Sequence, residues 1–189
     1  MIFNLFKSKP SLKELIPKGF VDIHSHILPG IDDGAKNIEE SLSLISEMRK
    51  LGYSKIIGTP HIYPGLYDNN KLSIQKSFEK IDQKIQKNDI NVSFAAEYLI
   101  DESLIKMAES KSLLTLKDNF VLVEMSFLNP PNNLFDIIFK LLLNDYIPIL
   151  AHPERYRFWF HKRENFKKLL NMGCKFQINL FSLTGYYGK

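Results

Sequence analysis

Short apolar runs alternate with amphipathic segments along almost the whole chain, and five of the runs end in a histidine or a carboxylate. The segments read VDIHSH, IIGTPH, FAAEY, VLVEMS and ILAHPER. They set His24, His26, His61, Glu97, Glu124 and His152 at strand ends. Near-continuous apolar runs are what parallel strands buried on both faces require. The pattern predicts strands over 20–24, 55–59, 92–97, 120–125, 147–151 and 175–180, and helices over 38–51, 71–88, 101–110, 133–144 and 163–172.

Local signals agree with these boundaries. Ile38, Leu42, Ile45 and Met48 recur at helical spacing, Asn37 is placed to cap the helix, and Glu40 completes a pattern like a capping box. Gly52 and Gly173 stand where helices commonly stop. Unbroken strand–helix alternation points to an α/β barrel or a doubly wound sheet. No G-x-G-x-x-G or Walker loop follows a strand, which argues against nucleotide binding. Chemistry after successive strands favours the barrel, whose loops converge at the C-terminal face.

The bulk properties exclude several classes. With 189 residues, 44% hydrophobic and 24% charged, the chain can build one ordinary globular core. A net charge of +4, dispersed among acids and apolar residues, gives no basis for nucleic-acid binding. No apolar run reaches membrane-spanning length, and Lys7 and Lys9 interrupt the N-terminal one. Residues 1–19 read as an arm packed on the domain. The single cysteine, Cys174, excludes an internal disulfide or a thiolate zinc cluster and fits a reducing, cytoplasmic setting.

The strand-end residues form a ligand set. Residues two apart on a strand face the same side, so His24 and His26 can reach one ion. Pro60 removes a ladder donor just before His61, as suits a strand terminus. Glu97 and Glu124 end apolar strands, where a carboxylate is costly unless paired or metal-bound. In the IDDG loop, Asp32 and Asp33 read equally well as a capping turn or as one carboxylate turned inward. His152 adds a nitrogen ligand, and Arg155 offers a planar fork for a phosphate or carboxylate. Nitrogen and oxygen donors without sulfur suit Mn²⁺, Fe or Zn²⁺. Such a site beside an arginine points to phosphate ester hydrolysis by activated water.

Together the segments VDIHSHILPGIDDGAKNIEES, GTPH, AAEY, VLVEMSF and PILAHPERY resemble the PHP (polymerase and histidinol phosphatase) superfamily, and within it the bacterial capsule and exopolysaccharide tyrosine-phosphatase branch. The resemblance covers 20–180 in order and sets the domain at 20–189. It implies a distorted (β/α)7 barrel with a trinuclear, usually manganese, site. His24 and His26 would hold one ion, bridged by Glu97 to a second that Glu124 and His152 complete; Asp33 and His61 would hold a third. Arg155 would contact the phosphate. The implied substrate is phosphotyrosine on a bacterial tyrosine kinase controlling polysaccharide export. One departure stands out: the family's last strand carries an Asp-x-His pair, and none follows His161 here. A chain lacking that last strand–helix unit is expected to bind metal weakly, to turn over poorly, or to pair with another chain, as in a homo-oligomer. The alternatives are a phosphoesterase for a small phosphate ester and a regulatory module that kept part of the site.

Overall fold

The structure is a computed structural model that describes residues 12–85 and 90–184. Among the described residues, eight parallel strands and six α-helices follow one another. A short helix α1 (Leu12–Leu15) leads into β1 (Phe20–Ser25), α2 (Ile38–Leu51), β2 (Tyr53–Gly58) and β3 (His61–Ile62). Then come α3 (Lys71–Asp82), β4 (Asn91–Phe94), β5 (Glu97–Leu99), α4 (Glu102–Glu109) and β6 (Phe120–Glu124). The chain continues through α5 (Leu134–Leu143), β7 (Ile147–Ala151), α6 (Arg163–Met172) and β8 (Lys175–Gln177).

The strands make two parallel sheets, ordered β1-β2-β4 and β3-β5-β6-β7-β8. Among the described residues no ladder joins β8 to β1, so the sheets do not close into a barrel; the distorted barrel was expected without its last strand–helix unit. The strand expected over 55–59 ends at Gly58 and is followed by a short unexpected strand, β3, while the strand expected over 92–97 is divided into β4 and β5. Thr59–Pro60 separates β2 from β3, where Pro60 has no N–H to give, and Ala95–Ala96 separates β4 from β5. Hydrogen bonds bridge both breaks: Ala95 N–H donates to Gly58 O at 2.8 Å and Glu97 N–H to Pro60 O at 3.0 Å. The kinks turn the strand ends, and the residues on them, toward a common point. The last expected strand, 175–180, stops at Gln177 because Leu180–Thr184 turns into a 3₁₀ helix.

The helices bury one face each. Leu134, Ile137, Ile138 and Leu141 of α5 lie fully inside, as do Ile74 and Ile81 of α3 and Leu104 of α4. Each such side chain contributes roughly 1.5–3 kcal/mol by leaving water. Asn37 caps α2 by accepting from Glu40 N–H at 2.9 Å, but the Glu40 carboxylate accepts from Lys36 N–H, one residue earlier than the reciprocal pairing expected. Gly52 ends α2 at φ 108°, which only glycine adopts cheaply. The helix expected over 71–88 ends at Asp82, and residues 86–89 lie outside the described part. Of the N-terminal arm, Ile16 is buried in the core, while residues 1–11 lie outside the described part.

Two buried hydroxyls tie the helices to the loop after β1. Ser41 Oγ of α2 donates to Ile27 O at 2.5 Å, and Ser77 Oγ of α3 donates to Pro29 O at 2.9 Å. They fix the start of the loop that carries Asp32 and Asp33. Truncating the core face, with Ile137→Ala, is expected to cost about 2–5 kcal/mol, read as a lower urea midpoint at unchanged slope.

Candidate metal centre

Every strand-end residue named from the sequence reaches one cluster. Glu97, at the start of β5, is completely buried and sits at its centre. Its Oε2 lies 3.1 Å from His24 Nε2, 3.4 Å from His26 Nε2 and 3.2 Å from His61 Nδ1. Its Oε1 lies 3.0 Å from His152 Nε2. Glu124, buried at the end of β6, approaches His61 Nδ1 to 2.8 Å and His152 Nε2 to 3.9 Å. Three overlapping groups have ligand atoms within 4.8 Å of one another: His24, His26 and Glu97; His26, Asp33 and His61; His61, Glu97 and Glu124.

The IDDG loop divides its two carboxylates by role. The Asp32 side chain is buried; its Oδ2 accepts from His26 Nδ1 at 2.7 Å and from His61 N–H at 3.1 Å, while Oδ1 accepts from Gly34 N–H at 3.0 Å. Asp33 is 61% exposed, with Oδ1 3.5 Å from His61 Nε2. Gly34 allows the fold-back: a Cβ there would stand 2.0 Å from His26 O and 2.4 Å from His26 Cβ. Sequence reasoning missed the Asp32–His26 bond, since either neighbour could have turned inward.

The electrostatics follow from crowding. Burial disfavours a charged His26, yet the bond to Asp32 and the nearness of Glu97 win and push its pKa up to about 10. His24 and His61 rise for the same reason, burial being outweighed by Glu97 for the first and by Glu124 and Glu97 for the second. Burial alone would raise Glu97, but the charge of His24 and the close imidazoles hold it well below the usual carboxylate range. The carboxylates thus favour protons on His24, His26 and His61.

The donor set fits divalent cations. His61 Nδ1, Glu97 Oε2 and Glu124 Oε1 are buried and make no well-aligned hydrogen bond, although His61 Nδ1 lies 3.2 Å from Glu97 Oε2 and 2.8 Å from Glu124 Oε1. An unsatisfied buried acceptor costs about 1–3 kcal/mol, and more if charged. Lone pairs aimed at one point without hydrogen-bond alignment are what a bound cation satisfies.

The mouth of the site is a cavity of about 640 Å³ lined by His24, His61, Glu124, Phe127, Arg155 and Gln177 among others. The Arg155 guanidinium lies 4.4 Å over the Phe127 ring. Glu154 accepts from Asn179 N–H and Ser182 Oγ, and Asp145 pairs with Lys111. Tyr156 and Trp159 are buried packing residues, and Tyr156 Oη holds Met125 N–H at 2.9 Å. His161 and Arg157 are exposed. Cys174 is buried among apolar residues, which pushes its thiol up to about 12 and excludes it as a nucleophile. Phe127 and Gln177 were not legible in advance, because neither carries chemistry of its own.

Comparison with known proteins adds to this geometry. The model of a family described as capsular polysaccharide synthesis, CpsB/CapC, matches residues 20–189. The chain is 33% identical over 175 residues to the tyrosine-protein phosphatase YwqE of Bacillus subtilis, covering 89% of this chain and 68% of that one. It is 32% identical over 162 residues to the tyrosine-protein phosphatase CpsB of Streptococcus agalactiae, covering 84% and 67%. It is 30% identical over 171 residues to a putative tyrosine-protein phosphatase CapC of Staphylococcus aureus, covering 89% and 67%. A solved chain from work on YwqE of Bacillus subtilis and CpsB of Streptococcus pneumoniae, described as unique metal-dependent tyrosine phosphatases, superposes with a TM-score of 0.83. The two chains are 31% identical over 90% of this one and 70% of that one.

Two outcomes are expected. Because the folded pKa of His26 is raised above its ordinary value, its stabilisation is complete below about pH 6.5 and is lost as pH rises toward about 10. Chelator-treated protein should therefore have a lower urea midpoint at pH 9.5 than at pH 6.5, with a shallower fall in Asp32→Asn. Gly34→Ala should destabilise by about 1–3 kcal/mol or more, because the clash is with backbone, and thermal melting would read it.

Proposed function

The chain belongs to the capsular polysaccharide synthesis family CpsB/CapC, and from that membership and the site we propose that it is a metal-dependent protein-tyrosine phosphatase. The observation that carries the metal part is the convergence of the buried atoms His61 Nδ1, Glu97 Oε2 and Glu124 Oε1, in close contact but without an aligned hydrogen bond. The relatives named above supply the reaction class.

In this reading His24, His26 and Glu97 hold one ion, Glu97, Glu124 and His152 a second, and Asp33 and His61 a third. Divalent ions in such a site lower the pKa of water and polarise a phosphoryl oxygen. Manganese is the proposed metal, with iron and zinc compatible with the same donors. Arg155 presents its fork to the phosphate oxygens, and Phe127 fixes the guanidinium plane from below while offering an aromatic wall to the phenol ring. Asp32 keeps the proton on His26 Nδ1, which leaves Nε2 facing Glu97. No side-chain nucleophile is required, in keeping with the buried thiol of Cys174.

The proposed substrate is phosphotyrosine on a bacterial tyrosine kinase that regulates capsule or exopolysaccharide synthesis, met in the cytoplasm. Among the described residues no helix is long and apolar enough to cross a membrane. The two sheets are read as parts of one distorted barrel wall of the PHP type, since hydrogen bonds run across both kinks.

Hydrolysis of a phosphotyrosine peptide is expected with added Mn²⁺ and is expected to stop with chelator. Activity that survives both chelator and His24→Ala would refute the metal reading. Faster turnover of small alkyl phosphates than of phosphopeptides would move the substrate to a small ester. Arg155→Ala should lower kcat/KM for the peptide by about 10²-fold, the usual loss when one donor to transition-state charge is removed, measured with saturating metal.

A further inference from the structure

Gln177 is the last residue of β8 and faces β1 across the side where the two strands do not pair. Its Oε1 lies 2.8 Å from His24 Nδ1 and also accepts from the backbone N–H of His152 at 3.3 Å. Its Nε2 donates to Asn179 Oδ1 at 3.0 Å. Asn179 is itself held, its N–H donating to Glu154 Oε1 at 3.1 Å, an oxygen that Ser182 Oγ also reaches. The amide is thus oriented: the NH₂ end is spent on Asn179, so the carbonyl end must face the histidines.

That orientation has a chemical consequence. An amide oxygen only accepts, so His24 Nδ1 must carry the hydrogen whenever the contact is made. The lone pair of neutral His24 then sits on Nε2, the atom 3.1 Å from Glu97 Oε2 and 3.4 Å from His26 Nε2. Asp32 does the same for His26 through Nδ1. The second bond from Gln177 holds His152, whose backbone is in the left-handed region at φ 33° and ψ 54°, an unfavourable place for a residue with a Cβ. His152 Nε2 in turn points at Glu97 Oε1. One carbonyl oxygen on β8 therefore aligns a side chain on β1 and a backbone turn after β7.

We propose that Gln177 is a positioning residue for metal binding, fixing the ring orientation and tautomer of His24 and the strained turn at His152 so that both present Nε2 to Glu97. The inference rests on the reading of this cluster as a metal centre, which the wild-type protein tests by itself. A neutral acceptor suits this position because the Asp22 carboxylate lines the same cavity, with one buried oxygen lacking a hydrogen bond.

The test is competitive titration of Mn²⁺ and Zn²⁺ into the full chain, as wild type, Gln177→Met and Gln177→Glu, alongside metal counting after gel filtration. Methionine keeps the length and loses the acceptor; glutamate keeps the acceptor. Loss of a partner that orients a ligand typically costs 10- to 100-fold in metal affinity. Gln177→Met should lose that much at one or more ions, Gln177→Glu should recover at least half of the loss on a logarithmic scale, and chelator-treated wild type and Gln177→Met should melt within a few degrees of each other. Equal affinities for wild type and Gln177→Met overturn the proposal. So does a Gln177→Glu variant as weak as Gln177→Met, or a Gln177→Met variant whose metal-free form is already unfolded, since the residue is then structural. A wild-type chain that shows no saturable binding of either ion in the titration overturns the metal-centre reading itself, a separate result read before any variant is made.

Discussion

One carboxylate organises the site. Glu97 is fully buried and lies within 3.4 Å of the rings of His24, His26, His61 and His152, which arrive from three different stretches of chain. Burying that many ionisable groups costs several kcal/mol per unpaired charge. The cost is tolerable only if the charges balance, by protons on the imidazoles in one state and by cations in the other. Folding and ligand occupancy are therefore coupled: whatever binds the folded cluster stabilises it, and the apolar strands around it set how firmly it is held.

The rest of the fold is arranged to keep that cluster in register. The kinks at Thr59–Pro60 and Ala95–Ala96 bring β3 and β5 in so that His61 and Glu97 are direct neighbours in the ladder. Hydroxyls on α2 and α3 pin the loop after β1, and that loop supplies Asp32 to orient His26. Gln177 orients His24 from the opposite side. Tyr67 stacks flat on His61, with ring centroids 5.3 Å apart. Rigid packing around polar groups is what turns a set of donors into a site of fixed geometry.

The cavity beside the cluster divides its chemistry in space. Charged donors lie at the floor, and Arg155 over Phe127 stands at the rim. An aryl phosphate entering this cavity would meet cation-binding groups with its phosphate and an aromatic wall with its ring. That division favours the tyrosine-phosphatase reading over one in which the barrel-like wall merely binds a partner, because a binding surface has no use for buried acceptors left without hydrogen bonds.

Much of this was written in the primary chain. Apolar runs of strand length and helices with capped ends fixed the α/β order, and helices 38–51 and 163–172 match to the residue, because burial periodicity and capping are local properties. The strand-end histidines and glutamates were legible too, since such groups are costly in apolar strands unless they share a compensating partner. Tertiary structure alone decided the rest. It added β3 beyond Pro60, divided the strand expected over 92–97 at an alanine pair, left β8 and β1 unpaired among the described residues, turned Asp32 rather than Asp33 onto His26, and set Gln177 behind His24. Which of two adjacent carboxylates turns inward, and which neutral amide lands behind an imidazole, depends on contacts between residues as far apart in sequence as His24 and Gln177. No local pattern records such contacts.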